Sequence, residues 1–332
     1  MHPLLSRLLL ILLLCCGTAQ AQDLNPANLY RALAPLPKTR LEVQGAVMDV
    51  AFQAQDLSLS QAEVVAWIEQ RAQWVSAFYG RFPVDRVEVL VDSAEGDRVL
   101  AGIAWGQPYP ALRVTLGRKA TLDALNRDGL LIHEMIHLGT PMLPNKAFWF
   151  LEGVADYSAT LVRAKIGAIN ETQAWRGLVR SMWQAIPKMG ERGLDYPMNG
   201  SRVYWAGVYY CMQADLRLRQ QSDNQIGFMD ALRHLNRETR GIADYTSLDR
   251  VLTTLDGVDG GATFRDLYQE MREEPVSPDL PLIWLQLGLR FDDDLLEFDN
   301  TTELAPLRAA IMRRYDEESA LAAESPAANA VP

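Results

Sequence analysis

The spacing of hydrophobic positions changes from helical to alternating early in the chain. Ser60 and Glu63 have the spacing of a capping box and open an apolar stripe at helical intervals, which Gly80 ends. Three short runs rich in β-branched and aromatic residues follow and predict strands. These runs are Val87 to Asp92, Val99 to Trp105 and Leu112 to Leu116.

Later patterns are helical almost to the end of the chain. Apolar residues recur at helical spacing on both sides of residue 140, and then at about 172–185, 202–220, 227–237 and 263–273. Residues 287–300 have the pattern of a small hairpin, and residues 303–315 that of a closing helix. Strands first and helices afterwards predict an α+β fold, in which a small mixed or antiparallel sheet precedes a mainly helical subdomain.

Two of the four histidines lie in one helical stretch, "LLIHEMIHLG". His133 and His137 are four residues apart, so their side chains lie one above the other on one helix face and can bind one ion. Glu134 projects beside that ion, where a general base for a metal-activated water belongs. Ile132 and Ile136 lie on a different stripe, which can bury the helix while the histidines face a cleft. The alternative is an exposed helix that carries an i,i+4 pair.

A third ligand is available in the next helical stretch, "FWFLEGVADYSATLV". Catalytic zinc usually takes three protein ligands, and Glu152 lies off the apolar stripe of this stretch. Gly139, Pro141 and Pro144 break the first helix and let the chain return. Asp156, one turn after Glu152, is placed to accept the outer N–H of a histidine ligand. The alternatives are a glutamate stabilised by the helix dipole and a solvated aspartate.

The strings "HEMIH" and "WFLEGVADY" resemble the zinc-binding motifs of the gluzincin metallopeptidases, which share an HExxH…E pattern. The resemblance is nearest to bacterial peptidases similar to glycyl aminopeptidase. It implies a thermolysin-like catalytic core with one zinc ion (Zn²⁺) per chain, bound by His133, His137 and Glu152. It also implies that Glu134 is the catalytic base.

A further stretch, "SRVYWAGVYYCMQADLRLRQ", resembles the Y-x-K-G segment of the same group. The resemblance places Tyr204 on the tyrosine whose hydroxyl steadies the tetrahedral intermediate. Ala206 stands where the lysine of that segment is usual. The alternative is that Tyr204 is an aromatic residue at the edge of a core helix. Tyr209 and Tyr157 would then be the next candidate donors.

The stretch "LAGIAWGQPYP" stands where many aminopeptidases of this group carry a Gly-Ala-Met-Glu-Asn segment. It alternates like a strand, and Gly102 allows another backbone to approach. An edge strand here can pair with an extended peptide by β-addition. It supplies no carboxylate to bind an α-amine, so the choice between aminopeptidase and endopeptidase stays open.

The first 21 residues predict a secretory signal peptide, with one arginine, a short apolar core and Ala-Gln-Ala at its end. Lipid attachment at Cys15 or Cys16 is an alternative, although the residues before them are not small. After cleavage Cys211 is the remaining cysteine, so no internal disulfide is expected. We expect a catalytic domain at 22–275, a hairpin and helix packing on it at 276–319, and a disordered tail at 320–332.

The net charge of −10 argues against binding to nucleic acid or to an anionic membrane surface. The sequence therefore predicts a secreted or periplasmic zinc peptidase that acts on peptide or protein substrates. Two alternatives remain: a non-catalytic peptide-binding protein that has kept the fold, and a chaperone or envelope-assembly factor whose peptidase is dormant until a partner binds.

Overall fold

The computed structural model describes residues 26–198, 200–292 and 295–318. The expected signal peptide and the expected disordered tail lie outside these ranges. Within them, no helix combines the length and the apolar character that crossing a membrane requires. By its internal contacts the chain divides into two compact units, and the division passes through a helix between Leu151 and Glu152.

The first unit, residues up to 151 together with 235–251, holds a five-stranded mixed sheet. Its strands are β1 (Lys38–Val43), β2 (Ala46–Phe52), β3 (Arg86–Ala94), β4 (Val99–Trp105) and β5 (Ala111–Gly117), in the spatial order β1-β2-β3-β5-β4. β2, β3 and β5 run parallel, and β1 and β4 pair antiparallel at the two edges. The three strands predicted from sequence are confirmed as β3, β4 and β5.

The hairpin of β1 and β2 is an addition to the predicted strands. Its two turn residues, Gln44 and Gly45, both have positive φ, 48° and 83°. A two-residue hairpin turn whose twist matches that of the strands needs positive φ at both residues, and its usual sequence is Asn-Gly. Because glutamine replaces the asparagine, the turn signal is weak in the sequence.

Four helices complete most of the first unit: α1 (Pro26–Leu33), α2 (Gln61–Tyr79), α3 (Leu122–Arg127) and α4 (Leu130–His137). The capping box of α2 is confirmed, because the Ser60 side chain accepts from the Glu63 N–H and the Glu63 carboxylate accepts from the Ser60 N–H. Gly80 ends α2 in the left-handed conformation, with φ 84°. α2 and β4 both pack on α4.

The second unit comprises residues 152–234 and residues from 252 onwards. After α5 (Phe148–Lys165) come α6 (Glu171–Met182), α7 (Arg202–Gln221), α8 (Phe228–Glu238), α9 (Leu248–Asp256), α10 (Thr263–Met271) and α11 (Leu280–Gln286). The division between the units crosses α5, α8 and α9. A hairpin of β6 (Leu289–Asp292) and β7 (Leu295–Phe298) and the helix α12 (Ala305–Met312) follow. α7 packs against α6, α10 and α12. The predicted hairpin and closing helix are confirmed, and strands followed by helices confirm the α+β class.

Candidate metal centre

Helix α4 carries the two histidines and is buried on almost every side. Its apolar residues have at most 1% of their surface exposed from Leu131 to Ile136, as expected for the core stripe. His133 and Glu134 are also buried, at 8% and 6% exposure, and His137 is half-buried. Ionisable groups in such a place need a compensating partner. The burial of α4 therefore disagrees with the alternative of an exposed surface helix.

The two imidazole rings converge on one point. Their Nε2 atoms lie 3.1 Å apart, and the ring planes are inclined at 80°. Two nitrogen ligands of a tetrahedral zinc ion, at the usual bond length of 2.0–2.1 Å, are roughly 3.3 Å apart. The spacing of His133 and His137 therefore fits two ligands of one ion.

Glu152, in the second turn of α5, completes a group of three. One ligand atom from each of His133, His137 and Glu152 lies within 4.8 Å of the other two. The Glu152 side chain is buried, with 7% exposed. Two imidazoles and one carboxylate are the donor set of a catalytic zinc site, so these residues fit the ion that the sequence predicts.

The position of α4 depends on contacts that the sequence does not reveal. The Tyr79 hydroxyl donates to the Ile136 carbonyl at 3.4 Å, and the Ile242 N–H donates to the Leu138 carbonyl at 2.9 Å. A methyl group on Gly139 would lie 2.4 Å from the Tyr79 hydroxyl oxygen, so any larger residue there would have to displace the Tyr79 ring. These contacts hold the end of the helix at His137. Gly139, two residues after the end of α4, is the one signal of these contacts in the sequence.

Tyr204 lies in the first turn of α7 and is half-buried. Three residues further on, Gly207 lies against Gly153, the residue after Glu152. A Cβ on Gly153 would lie 2.2 Å from the Gly207 carbonyl carbon and 2.4 Å from its Cα. α5 and α7 therefore touch backbone to backbone beside Glu152, within one turn of Tyr204. Asp156 is half-buried one turn further along α5.

Tyr157, a candidate donor in the sequence, is engaged elsewhere. Its hydroxyl donates to Oδ2 of Asp215 at 2.9 Å. Burial, together with the Asp215 charge, raises the pKa of Tyr157 well above its usual value. Asp215 also accepts from Arg219 Nε at 2.8 Å and from the Phe228 N–H at 3.0 Å. Tyr157 thus belongs to a buried ionic cluster, whose signal in the sequence is the i,i+4 spacing of Asp215 and Arg219.

Gly102 lies in β4, an edge strand of the sheet, as predicted. β4 pairs with β5 on one side, and among the described residues no strand pairs with its other side. Residues 101–105 are half-buried or exposed. The edge is thus accessible to another extended chain, and Gly102 adjoins Glu134.

No protein-family profile and no curated protein sequence matches the chain. Solved structures do match. An aminopeptidase N family protein from Idiomarina loihiensis is similar over 77% of this chain and 49% of its own, at 15% identity and a TM-score of 0.58. A two-domain M1 zinc metallopeptidase, crystallised as a variant with L-arginine, is similar over 74% of this chain and 54% of its own, at 17% identity and a TM-score of 0.51.

This chain thus spans about half the length of the structures that it matches. At such low identity the similarity concerns the fold. The arrangement of a five-stranded mixed sheet followed by helices is similar to the fold of M1 zinc metallopeptidase domains.

Proposed function

We propose that this protein is a zinc-dependent peptidase. The observation that carries the proposal is the convergence of His133, His137 and Glu152, with Glu134 placed between the two histidines in the sequence of α4. A metal site alone would need only the three ligands. The glutamate beside them is what hydrolysis needs in addition. The fold shared with zinc metallopeptidases supports the same conclusion.

His133, His137 and Glu152 would hold the zinc ion, which would supply Lewis-acid activation of a water molecule and of the scissile carbonyl group. Glu134 then acts as general base and takes the proton of the attacking water. The same carboxyl group passes that proton to the leaving amine, so that the base is regenerated.

In the proposed reaction, Tyr204 and Asp156 have supporting roles. Tyr204 donates a hydrogen bond to the oxyanion that develops in the transition state. The position of Tyr204 supports this role. Tyr204 lies on α7, and α7 contacts α5, the helix of Glu152, where the Gly153 and Gly207 backbones meet. Asp156 accepts the outer N–H of a histidine ligand and so fixes the tautomer of that ring.

The substrate in this proposal is an extended peptide that pairs with β4. Gly102 lies midway along that strand, with three strand residues on each side, and its strand edge is accessible. Peptide backbone pairing with an edge strand supplies affinity without requiring particular side chains. The sizes of the cleavage products distinguish hydrolysis of terminal peptide bonds from hydrolysis of internal ones.

We also propose that the protein acts outside the cytoplasm, as the signal-peptide pattern of residues 1–21 indicates. The mass of the mature protein purified from its host tests this expectation. Cleavage after Ala21 gives a chain that begins at Gln22. A chain that keeps its first 21 residues contradicts the proposal.

The proposed activity is tested by peptide-library cleavage with the mature protein, with products mapped by mass spectrometry. Elemental analysis should find about one zinc per chain. Glu134→Gln keeps the size of the side chain but cannot accept a proton. It should therefore retain zinc and lose hydrolysis.

Each other outcome points to a different function. Zinc binding without cleavage, in both wild type and Glu134→Gln, would indicate a peptide-binding protein. Cleavage that begins only when cell-envelope extract is added, and that Glu134→Gln abolishes, would indicate a peptidase that depends on a partner. Equal cleavage by wild type and Glu134→Gln would exclude Glu134 as the base.

A further inference from the structure

Gly102 lies against the side chain of the proposed base. A Cβ built on Gly102 would be 2.5 Å from Cγ of Glu134, 2.8 Å from its Oε1 and 2.9 Å from its Cδ. Non-bonded carbon atoms in contact are normally about 3.5–4.0 Å apart. Even a methyl group at position 102 therefore has no room while the Glu134 side chain keeps this conformation.

The helix that carries Glu134 has little freedom to move away. Glu134 lies in the interior of α4, whose far end is held by the Tyr79 hydroxyl and by the Ile242 N–H. Its neighbours in the helix, Met135 and Ile136, are fully buried. A shift of α4 would therefore disturb the core of the first unit.

The strand that carries Gly102 is also held in place. Gly102 is in register with Val114 of β5. Beyond the end of β4, the Gln107 side chain donates to the Ala243 carbonyl at 2.7 Å. A Cβ on Gly106 would lie only 1.8 Å from the Ile242 carbonyl oxygen, so the backbones are in contact there. With both elements fixed, a side chain at position 102 must displace the Glu134 side chain.

We propose that Gly102 is a positioning residue for Glu134: the missing side chain leaves the space in which the carboxylate is held. This inference rests on the proposed role of Glu134 as base. It assigns Gly102 a second task beside substrate pairing, and it predicts a specific coupling between positions 102 and 134. A base displaced by about 1 Å can lose roughly 10²-fold in rate.

The coupling is testable without an activity assay. All three Glu134 atoms that would meet the new methyl group are absent from Glu134→Ala. Gly102→Ala should therefore lower the unfolding midpoint of the zinc-loaded mature protein in the wild-type background. In the Glu134→Ala background the same substitution should produce no further loss. The four proteins of this cycle are compared by denaturant unfolding at one zinc concentration.

Kinetics supply the second readout. Gly102→Ala should reduce kcat by roughly 10²-fold, with KM changed only a few-fold and zinc content unchanged. Gly177→Ala is the matched control, because Gly177 lies in α6 and a methyl group there meets nothing within 4 Å. The control should keep full activity, and its stability should be equal to or slightly above that of wild type.

Two results would overturn the proposal. Equal destabilisation by Gly102→Ala in both backgrounds would mean that the methyl group meets something other than Glu134. A kcat within about twofold of wild type would mean that the carboxylate does not depend on this space. If neither the wild type nor any variant hydrolyses a peptide, the proposed function is wrong, and the positioning role is wrong with it. The unfolding cycle still decides whether positions 102 and 134 are coupled.

Discussion

Two buried polar clusters involve helix α5, and they are built on opposite principles. The cluster of proposed zinc ligands, called the zinc-ligand cluster, consists of His133, His137 and Glu152, three groups that can all offer lone pairs to a cation. The Asp215 cluster consists of Tyr157, Asp215 and Arg219, in which the protein supplies both the carboxylate and the cation. The α5 members of the two clusters, Glu152 and Tyr157, are only five residues apart.

The two clusters differ in the source of the positive charge that can compensate their carboxylates. In the Asp215 cluster one carboxylate accepts from a phenol, a guanidinium and a backbone N–H, so its charge is compensated within the second unit. A buried ion pair of this kind becomes costly when one partner is removed. In the zinc-ligand cluster the proposed zinc ion would supply a cation from solution. Stability should therefore depend on metal for one cluster and on protein side chains for the other.

The largest expected effect is that of Asp215→Ala. It leaves the Arg219 charge and the Tyr157 hydroxyl buried without their acceptor, and should lower the free energy of unfolding by about 3–5 kcal/mol. Urea unfolding measures the loss. Asp215→Asn, which keeps the size of the side chain, should also be destabilised and serves if the alanine variant does not fold.

Glu270→Gln is the control for this effect. It breaks the Arg217–Glu270 pair, whose side chains are 32% and 53% exposed, and should lower the free energy of unfolding by less than about 1 kcal/mol. A loss for Asp215→Ala no larger than the loss for this control would contradict the structural role of the cluster.

Metal removal should affect the other cluster. An ion present at 1,000 times its Kd stabilises the folded state by about 4 kcal/mol, so a chelator should lower wild-type stability by an amount of this order. His137→Ala should bind little zinc and be insensitive to chelator. Asp215→Asn should keep the chelator response. Equal zinc content in wild type and His137→Ala would show that the site is wrong.

Replacement of Tyr204 should affect catalysis, whereas replacement of Tyr157 should affect stability. Tyr204→Phe should reduce kcat by roughly 10²–10³-fold with little change in KM, because the hydroxyl serves a charge present only in the transition state. Tyr157→Phe should keep kcat and lower the free energy of unfolding by about 1.5–3 kcal/mol, since it loses a hydrogen bond to a charged group. If kcat falls for Tyr157→Phe and not for Tyr204→Phe, the two roles have been exchanged.

The smallest expected effect is that of Asp156→Asn. Loss of an outer partner of a ligand typically weakens metal affinity or activity by roughly 10–100-fold, and the fold should stay intact. Competition with a zinc chelator measures the affinity. Asp123→Asn is the control, since Asp123 pairs with Arg127 on the surface, where both side chains are 72% exposed. If both variants bind zinc like wild type, Asp156 is a solvated residue.

The sequence alone determined the local part of this site. A spacing of four residues places His133 and His137 on one helix face whatever surrounds the helix, and the structure confirms their convergence. The capping box at Ser60 and the alternation in β3, β4 and β5 are local in the same sense, because each signal lies within the element that it predicts. The β1–β2 hairpin has only a weak signal in the sequence, because its turn residues, Gln44 and Gly45, depart from the common Asn-Gly turn.

Contacts between different helices and strands depend on the tertiary structure. The contact of Gly102 with Glu134 joins residues of a strand and a helix, and the bond of Tyr157 to Asp215 spans 58 residues. Neither pair has a sequence spacing that any local geometry imposes, since such contacts arise only when whole elements pack. The sequence could name Tyr157 as a candidate donor, and only the packing of α5 against α7 showed that its hydroxyl is bound to Asp215.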